Sequence, residues 1–330
     1  MALNSPGFAL RALFLLAGLA LAAALVSPAS AQTWPAKPVR FIVPFPPGGA
    51  TDVAARTLAD RLTHALGQQF LVENRAGAVG AIGTTEVARA APDGYMILFA
   101  ADPVTTLHLV VKNLQYDVQR DFVPVTQVTT QPLGFAVHAS VPARSVQEFI
   151  ALARASPGKF AFAHSGTGSG QHLSGELFKK LAGIDMTHIP YKGGGPAVQD
   201  LVGGQVPAAF LGSTPLIPHH HAGRIRILAF TSKDRFAALP DVPTLHESGF
   251  PGFDTGQWLG LLAPRGTSGE IVSRLHLESR KALELADVRE RLLKSGLLAV
   301  GSSPKQFEAV IRADIERWTK LAAELGLQPQ

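Results

Sequence analysis

Phe41-Ile-Val-Pro-Phe-Pro-Pro-Gly-Gly-Ala-Thr-Asp-Val-Ala-Ala-Arg56 decides the fold of this 330-residue chain. Val39, Phe41 and Val43 alternate with Arg40 and Ile42 in a mostly apolar run, which predicts a strand. Pro46 and Pro47 stop it, because proline offers no backbone N–H and stiffens the chain. Gly48 and Gly49 let a ligand approach the backbone closely. Thr51 fits an N-cap and Asp52 a first helical turn. Ala55, Leu58, Ala59, Leu62, Ala65 and Leu66 then recur at helical spacing, and Gly67 suits the stop. A strand, a rigid glycine loop and a helix N-terminus, in that order, offer free N–H groups and a positive dipole end to an anion.

The same device recurs outward from this stretch. Phe70–Asn74 reads as a second strand, and residues 75–83 as a second glycine-rich loop leading into a helix over about 84–90. Pro92-Asp93-Gly94 is a turn, and residues 95–100 form a third strand. Strands joined by helical crossovers predict a parallel α/β sheet, whose ligands sit beyond the carboxyl ends of the strands. Both glycine loops and Asp102 are therefore expected at that edge. Residues 103–132 show no clear period.

The pattern then restarts. Strands are predicted at 133–138, 160–164, 186–190, 206–211 and 224–230, with helices over 146–155, 171–181 and from Pro196 to Gly203. Ser165-Gly-Thr-Gly-Ser-Gly170 and Tyr191-Lys-Gly-Gly-Gly-Pro196 are its strand-to-helix loops. A strand over 257–264 and helices near 267–284, 287–295 and 303–325 complete the chain. The last helix carries an apolar stripe of Phe307, Ile311, Ile315, Trp318 and Ala322, expected to cover the first sheet. The chain thus reads as residues 1–31, a discontinuous first α/β domain of 32–132 plus 257–330, and a second α/β domain of 133–256.

Composition narrows the function. Residues 12–26 are an apolar run preceded by Arg11 and followed by an Ala29-Ser30-Ala31 site, which reads as a secretory signal cleaved after Ala31. The run is short for a membrane span. The formal charge of +5 contains no basic run longer than two residues and no interleaved aromatics, so nucleic acid is not an expected partner. The chain has no cysteine, which excludes disulfides, thiol chemistry and cysteine-ligated metal.

Enzyme signatures are absent: no G-x-S-x-G, no Walker A loop, no H-E-x-x-H. Gly166-Thr-Gly-Ser-Gly170 has the wrong spacing for a dinucleotide loop. His219-His-His221 reads as a solvated helix end, because adjacent helical residues point in different directions. His172, one residue into its helix, either faces the cleft or packs in the helix. Asp52 reads as a capping group ahead of a catalytic one. No cofactor, metal or catalytic residue is expected. A secreted α/β hydrolase or transferase using Ser165 or His172 is the competing reading, and it lacks a nucleophile motif.

The markers Pro44-Phe-Pro-Pro-Gly-Gly49 with Asp52 and Arg56, Glu73-Asn-Arg-Ala-Gly-Ala78, Pro92-Asp-Gly-Tyr95, Asp121-Phe-Val-Pro-Val125, Pro190-Tyr-Lys-Gly193, Gly203-Gly-Gln205, Leu239-Pro-Asp-Val-Pro-Thr244 and Trp258 run the length of the chain. In these the sequence resembles the Bug family (TctC-like), the extracytoplasmic solute-binding proteins of tripartite tricarboxylate transporters. The resemblance implies a periplasmic, monomeric Venus-flytrap protein of type II-like fold, two mostly parallel α/β domains closing over a small organic carboxylate. It implies as partners the membrane components of such a transporter, or a sensor kinase. The positions it assigns to ligand binding are Gly48, Gly49 and Ala50 on one side and Ser165, Gly166, Thr167 and Gly168 on the other. Phe45, Asp52, Gly80, Asp102, His172, Tyr191 and Gly193 join them at the same loops. Val79 stands where the family often has glycine, Asp102-Pro-Val-Thr-Thr106 replaces a more polar stretch, and Phe210-Leu-Gly-Ser213 lacks an acidic group common there.

Overall fold

The computed structural model describes residues 34–329, so the expected signal over 1–31 lies outside the described residues. A compact body that begins at Lys37 carries every element below.

The opening stretch folds as its pattern requires. Strand β1 (Val39–Val43) runs into the proline–glycine loop, and helix α1 (Ala50–Leu66) follows, closed by Gly67 in the left-handed conformation. Strand β2 (Phe70–Asn74), helix α2 (Ala81–Ala88) and strand β3 (Met96–Ala101) complete a βαβαβ unit, with β1 parallel to both β2 and β3. Helix α2 starts earlier than the sequence suggests. Gly83 inside it lies against Pro44 and Arg75, where a Cβ would sit 2.9 Å from the Arg75 carbonyl oxygen. That glycine serves close packing and does not break the helix.

The main departure from expectation is strand β4 (Phe122–His138), 17 residues long where residues 122–132 show no clear sequence period. Two register shifts, between Pro124 and Thr126 and between Gln127 and Thr129, break the two-residue alternation that would reveal it. Prolines at 124 and 132 further disguise a strand. Its first part, to Pro132, pairs antiparallel with β9 (Gly256–Pro264). From Leu133 onward it pairs antiparallel with β7 (Ala208–Gly212) and β8 (Ile225–Phe230).

Helix α3 (Val146–Ala155), strand β5 (Ala161–His164), helix α4 (Gly170–Ala182), strand β6 (Thr187–Pro190), helix α5 (Gly194–Val202) and helix α6 (Ser213–His221) build a second parallel unit around β7, with β5 parallel to β6 and β7. The hydrogen-bonded order is β2-β1-β3-β9-β4-β7-β5-β6. Helices α7 (Gly269–Glu284) and α8 (Ala286–Lys294), a short strand β10 (Leu298–Ala299) and helix α9 (Pro304–Leu325) end the chain.

Apolar packing is divided in the same way. Phe307 and Ile311 of α9 pack with Ile42, Leu98, Trp258 and Leu262 on the β1–β3–β9 side. On the other side Phe135 is the centre of an aromatic cluster, with its ring 4.8 Å from Phe210 in a stack and 4.9 Å from Phe149 edge-on. Phe178 touches the same ring at 4.8 Å. Phe135 is fully buried, so removing its ring strips contacts from three neighbours at once. Phe135→Ala should cost about 3–5 kcal/mol of unfolding free energy in a urea melt. A loss below about 1 kcal/mol would show that the cluster repacks and is not a rigid core.

Candidate functional site

The carboxyl ends of the strands meet at a cleft of about 190 Å³. The loop after β1 forms one wall with Phe45, Pro46, Pro47, Gly48 and Gly49, continued by Ala50 and Thr51 of α1. Gly193, Gly194, Gly195 and Pro196 at the start of α5 form the opposite wall, with Lys192 before them. Ser165 and Gln171 close one end, and Gln131 and Gln257 of the crossing strands form the floor.

The first wall is held from behind. Asp52 Oδ2 accepts the Gly48 N–H at 3.0 Å and the Arg56 Nε–H at 3.0 Å. Its Oδ1 accepts the Asn74 amide at 3.0 Å, and the same amide donates to the Phe45 carbonyl. Against the cost of burial, the Arg56 guanidinium, the Gly48 N–H and the Asn74 amide hold the Asp52 carboxyl below its ordinary value. Asp52 therefore shapes the loop and does not face the cleft. Helix α1 has no side-chain cap over its first N–H groups, and Val53 is the first residue to bond back, to the Gly49 carbonyl. Helix α5 likewise begins at Gly193 without a side-chain cap. Helices α3, α4, α7 and α9, by contrast, are each capped by a serine. Helix α6 also lacks a cap and meets the cleft through Gly212 and Pro215, but its Thr214 N–H is taken by Gln131 Oε1, so α1 and α5 are the two helix starts that face the cleft with no side chain on their first N–H groups.

Electrostatics agree. Lys192 is the one charged side chain lining the cleft, and among the described residues it has no ion-pair partner. Among the described residues no carboxylate lines the cleft. The floor amides are committed elsewhere: Gln131 Oε1 accepts from Ser213 Oγ and from the Thr214 N–H and hydroxyl. Gln131 Nε2 donates to Gln257 Oε1, and Gln257 Nε2 donates to Asp102 Oδ1 at 2.7 Å. Asp102 Oδ2 in turn accepts the Gly170 N–H, the first of α4, at 3.0 Å. Burial, with the Asp314 carboxylate beside it, pushes Asp102 up to about 7. Asp314 is itself raised by burial, and accepts from Thr105 Oγ1 at 2.8 Å and Trp258 Nε1 at 3.1 Å.

Of the remaining expected site residues, Ser165 alone lines the cleft. Its N–H is taken by Gln171 Oε1 at 3.1 Å. The Gly166 N–H donates to His164 Nδ1 at 3.2 Å and the Gly168 N–H to His172 Nδ1 at 3.3 Å. Thr167 is exposed outside it. Gly80 is buried against the Phe45 ring. The Tyr191 hydroxyl turns away to donate to Asp200 Oδ2 at 2.6 Å. Sequence reading missed Gln131, Gln257 and Gln171, which carry no motif. It read 191–196 as a glycine loop at the ligand edge but named only Tyr191 and Gly193 as site residues there, where Lys192, Gly194 and Gly195 also line the cleft.

His164, His172 and His188 bring ring nitrogens within 4.8 Å of one another. Their donor pattern is wrong for a metal ion. A metal-bound histidine normally donates its other N–H to an acceptor. Here His164 Nδ1 and His172 Nδ1 each face a backbone N–H, so the proton of each neutral ring sits on Nε2, which then has no lone pair to coordinate. His164 Nε2 lies 3.2 Å from His188 Nδ1. The two buried imidazoles serve as acceptors that shape the 165–170 loop. No hydrogen bond joins either ring to Ser165 among the described residues.

Comparison with known proteins extends the same picture. Residues 54–327 match the family described as the tripartite tricarboxylate transporter family receptor. The chain is 40% identical over 306 residues to protein BugT of Bordetella pertussis, covering 92% of this chain and 94% of that one. An R. palustris protein solved with adipate superposes with a TM-score of 0.87 at 36% identity, over 90% of this chain and all of its own. MatC from Rhodopseudomonas palustris, solved with malate, gives 0.82 at 33% identity, over 88% of this chain and all of its own.

Burial, and the neighbouring imidazoles after it, push His164 and His172 from 6.5 down to about 3. A histidine lowered by folding contributes stability that is present above about 6.5 and lost as pH falls towards about 3. Asp102, raised from 3.8 to about 7, has the opposite sign, and its contribution is lost as pH rises through about 7. His172→Asn keeps an acceptor for the Gly168 N–H but takes up no proton. Between pH 6.5 and 4 the melting temperature of the wild type should therefore fall more steeply than that of His172→Asn. Equal slopes would contradict a neutral, buried His172.

Proposed function

The chain belongs to the tripartite tricarboxylate transporter receptor family, and on that premise we propose that it captures a small organic carboxylate between the N-termini of α1 and α5. The observation that carries the reading is the pair of uncapped helix starts facing a cleft whose lining holds one cation and no carboxylate. The first N–H groups of a helix have no partner within it, and an anion satisfies them while meeting the dipole. Gly49, Ala50 and Thr51 offer donors from one side, Gly194 and Gly195 from the other. Phe45, Gly48, Ser165 and Gly193 complete the wall, and the prolines at 46, 47, 103 and 215 supply apolar surface for the body of the ligand.

Two lobes follow from the pairing of β4. Residues 37–132 with 257–329 make one, built on β2-β1-β3-β9, and 133–256 make the other, built on β7-β5-β6. The polypeptide crosses between them along β4 and again before β9, which supports closure by rotation about those crossings. The closed form is delivered to the membrane components of a tripartite transporter, by a protein acting as a monomer in the periplasm. Structures of relatives with adipate and malate support the ligand class. Among the described residues no imidazole is bonded to Ser165, which favours binding without turnover.

Ala50→Asp tests the seat. An acidic residue in the first turn suits α1, so the fold should persist while its carboxylate occupies the anion position. A carboxylate present at about 100 times its Kd should add about 2.7 kcal/mol to wild-type stability, a shift of several degrees in a thermal melt. Ala50→Asp should show no such shift. A variant that binds as tightly as the wild type would refute the seat.

A further inference from the structure

We propose that Asp102 is a positioning residue that holds the cleft closed by giving its carboxylate to the first N–H of α4, an inference that rests on the two-lobe reading above. Asp102 follows β3 in one lobe and Gly170 opens α4 in the other. Their bond, Gly170 N–H to Asp102 Oδ2, is 3.0 Å long and buried. The second carboxylate oxygen is fixed by Gln257 Nε2 at 2.7 Å, and Gln257 is tied through Gln131 to Ser213 and Thr214 at the start of α6. The latch is therefore anchored at the strands where the lobes join.

Two neighbouring contacts belong to the same face. A Cβ built on Gly166 would lie 2.7 Å from Val79 Cγ2, and one on Gly168 would run into Val110 Cγ2. One on Gly170 would lie 2.6 Å from Asp102 Oδ2. Val79, Val110 and Asp102 all belong to the first lobe. Val79 is held at φ 53°, ψ 33°, a left-handed conformation that a β-branched residue adopts only under strain. It keeps that conformation where its methyl groups meet Gly166. The loop's own amides at Gly166 and Gly168 are taken by His164 and His172. The loop thus has its donors engaged behind and its bare Cα atoms covered in front, the arrangement of a docking face between lobes.

Gly170→Ala separates this role from folding. Gly170 sits in the first turn of α4 at an ordinary helical φ, where alanine favours the helix by up to about 1 kcal/mol. Its Cβ would strike the Asp102 carboxylate only when the lobes are shut. Because the chain has no cysteine, spin labels at Leu71→Cys and Gln199→Cys report the lobe separation directly. Distances should be read by double electron–electron resonance with and without adipate.

The wild type should populate the short separation of the arrangement described here, and Gly170→Ala should lose it while keeping its circular dichroism. If the closed fraction falls to about a tenth, the Kd for adipate rises about tenfold. Asp102→Ala alone should likewise lose the short distance, while Asp102→Asn, which keeps an oxygen acceptor for the Gly170 N–H, should retain it, a rescue by the conservative variant that a simple folding defect would not give. Unchanged distances in Gly170→Ala would overturn the proposal, as would a wild type that never reaches the short separation. Closure without any response to adipate or other carboxylates would instead count against the ligand reading alone.

Discussion

A backbone N–H buried at the end of a strand must find an acceptor, and at this cleft nearly every such group finds one within the chain. Asp52 takes the Gly48 N–H, Gln171 that of Ser165, His164 that of Gly166, His172 that of Gly168 and Asp102 that of Gly170. Each acceptor is a side chain placed one turn into a helix or at the end of a neighbouring strand. Five loop amides are thereby withdrawn from ligand chemistry. The first turns of α1 and α5 are left without side-chain caps, and both open on the same space. The proposed anion seat is what remains after this internal satisfaction.

The crossing strands give that seat its mechanical setting. β4 bonds to β9 in its first part and to β7 and β8 in its second, so one strand runs through both of the proposed lobes. Gln131 and Gln257 stand on β4 and β9 directly below the cleft, and join α6 to Asp102 through side-chain amides. Asp102 then reaches α4. The crossing strands and the proposed latch share one hydrogen-bonded path beneath the proposed seat. A buried carboxylate on that path is costly beside Asp314, and its two partners, the Gln257 amide and the Gly170 N–H, are what make the position tenable.

Much of this was legible in the sequence. The alternation of Val39 to Val43, the prolines after it and the helical spacing from Ala55 to Leu66 gave β1 and α1 from local physics. The glycine loops were recognisable as strand-to-helix turns, and Gly48, Gly49 and Ala50 line the cleft. The length of β4 was hidden by its bulges and prolines, which erase the period that marks a strand. Which amides stay free could not be read, because four of the acceptors are nearby side chains whose orientation no sequence pattern fixes, and the fifth is distant in sequence. Asp102 is 68 residues from Gly170 and 155 from Gln257. Glycine spacing at 166, 168 and 170 resembles a phosphate-type cradle, and only the three-dimensional arrangement shows its donors already bonded.

The most direct test is a crystal structure of the mature protein with the carboxylate that gives the largest thermal shift. The account predicts carboxylate oxygens within about 2.7–3.2 Å, or one water, of the Ala50 or Thr51 N–H and of the Gly194 or Gly195 N–H. The Gly166, Gly168 and Gly170 amides should remain on His164, His172 and Asp102. A carboxylate seated on the 166–170 loop, with those imidazoles displaced, would contradict it.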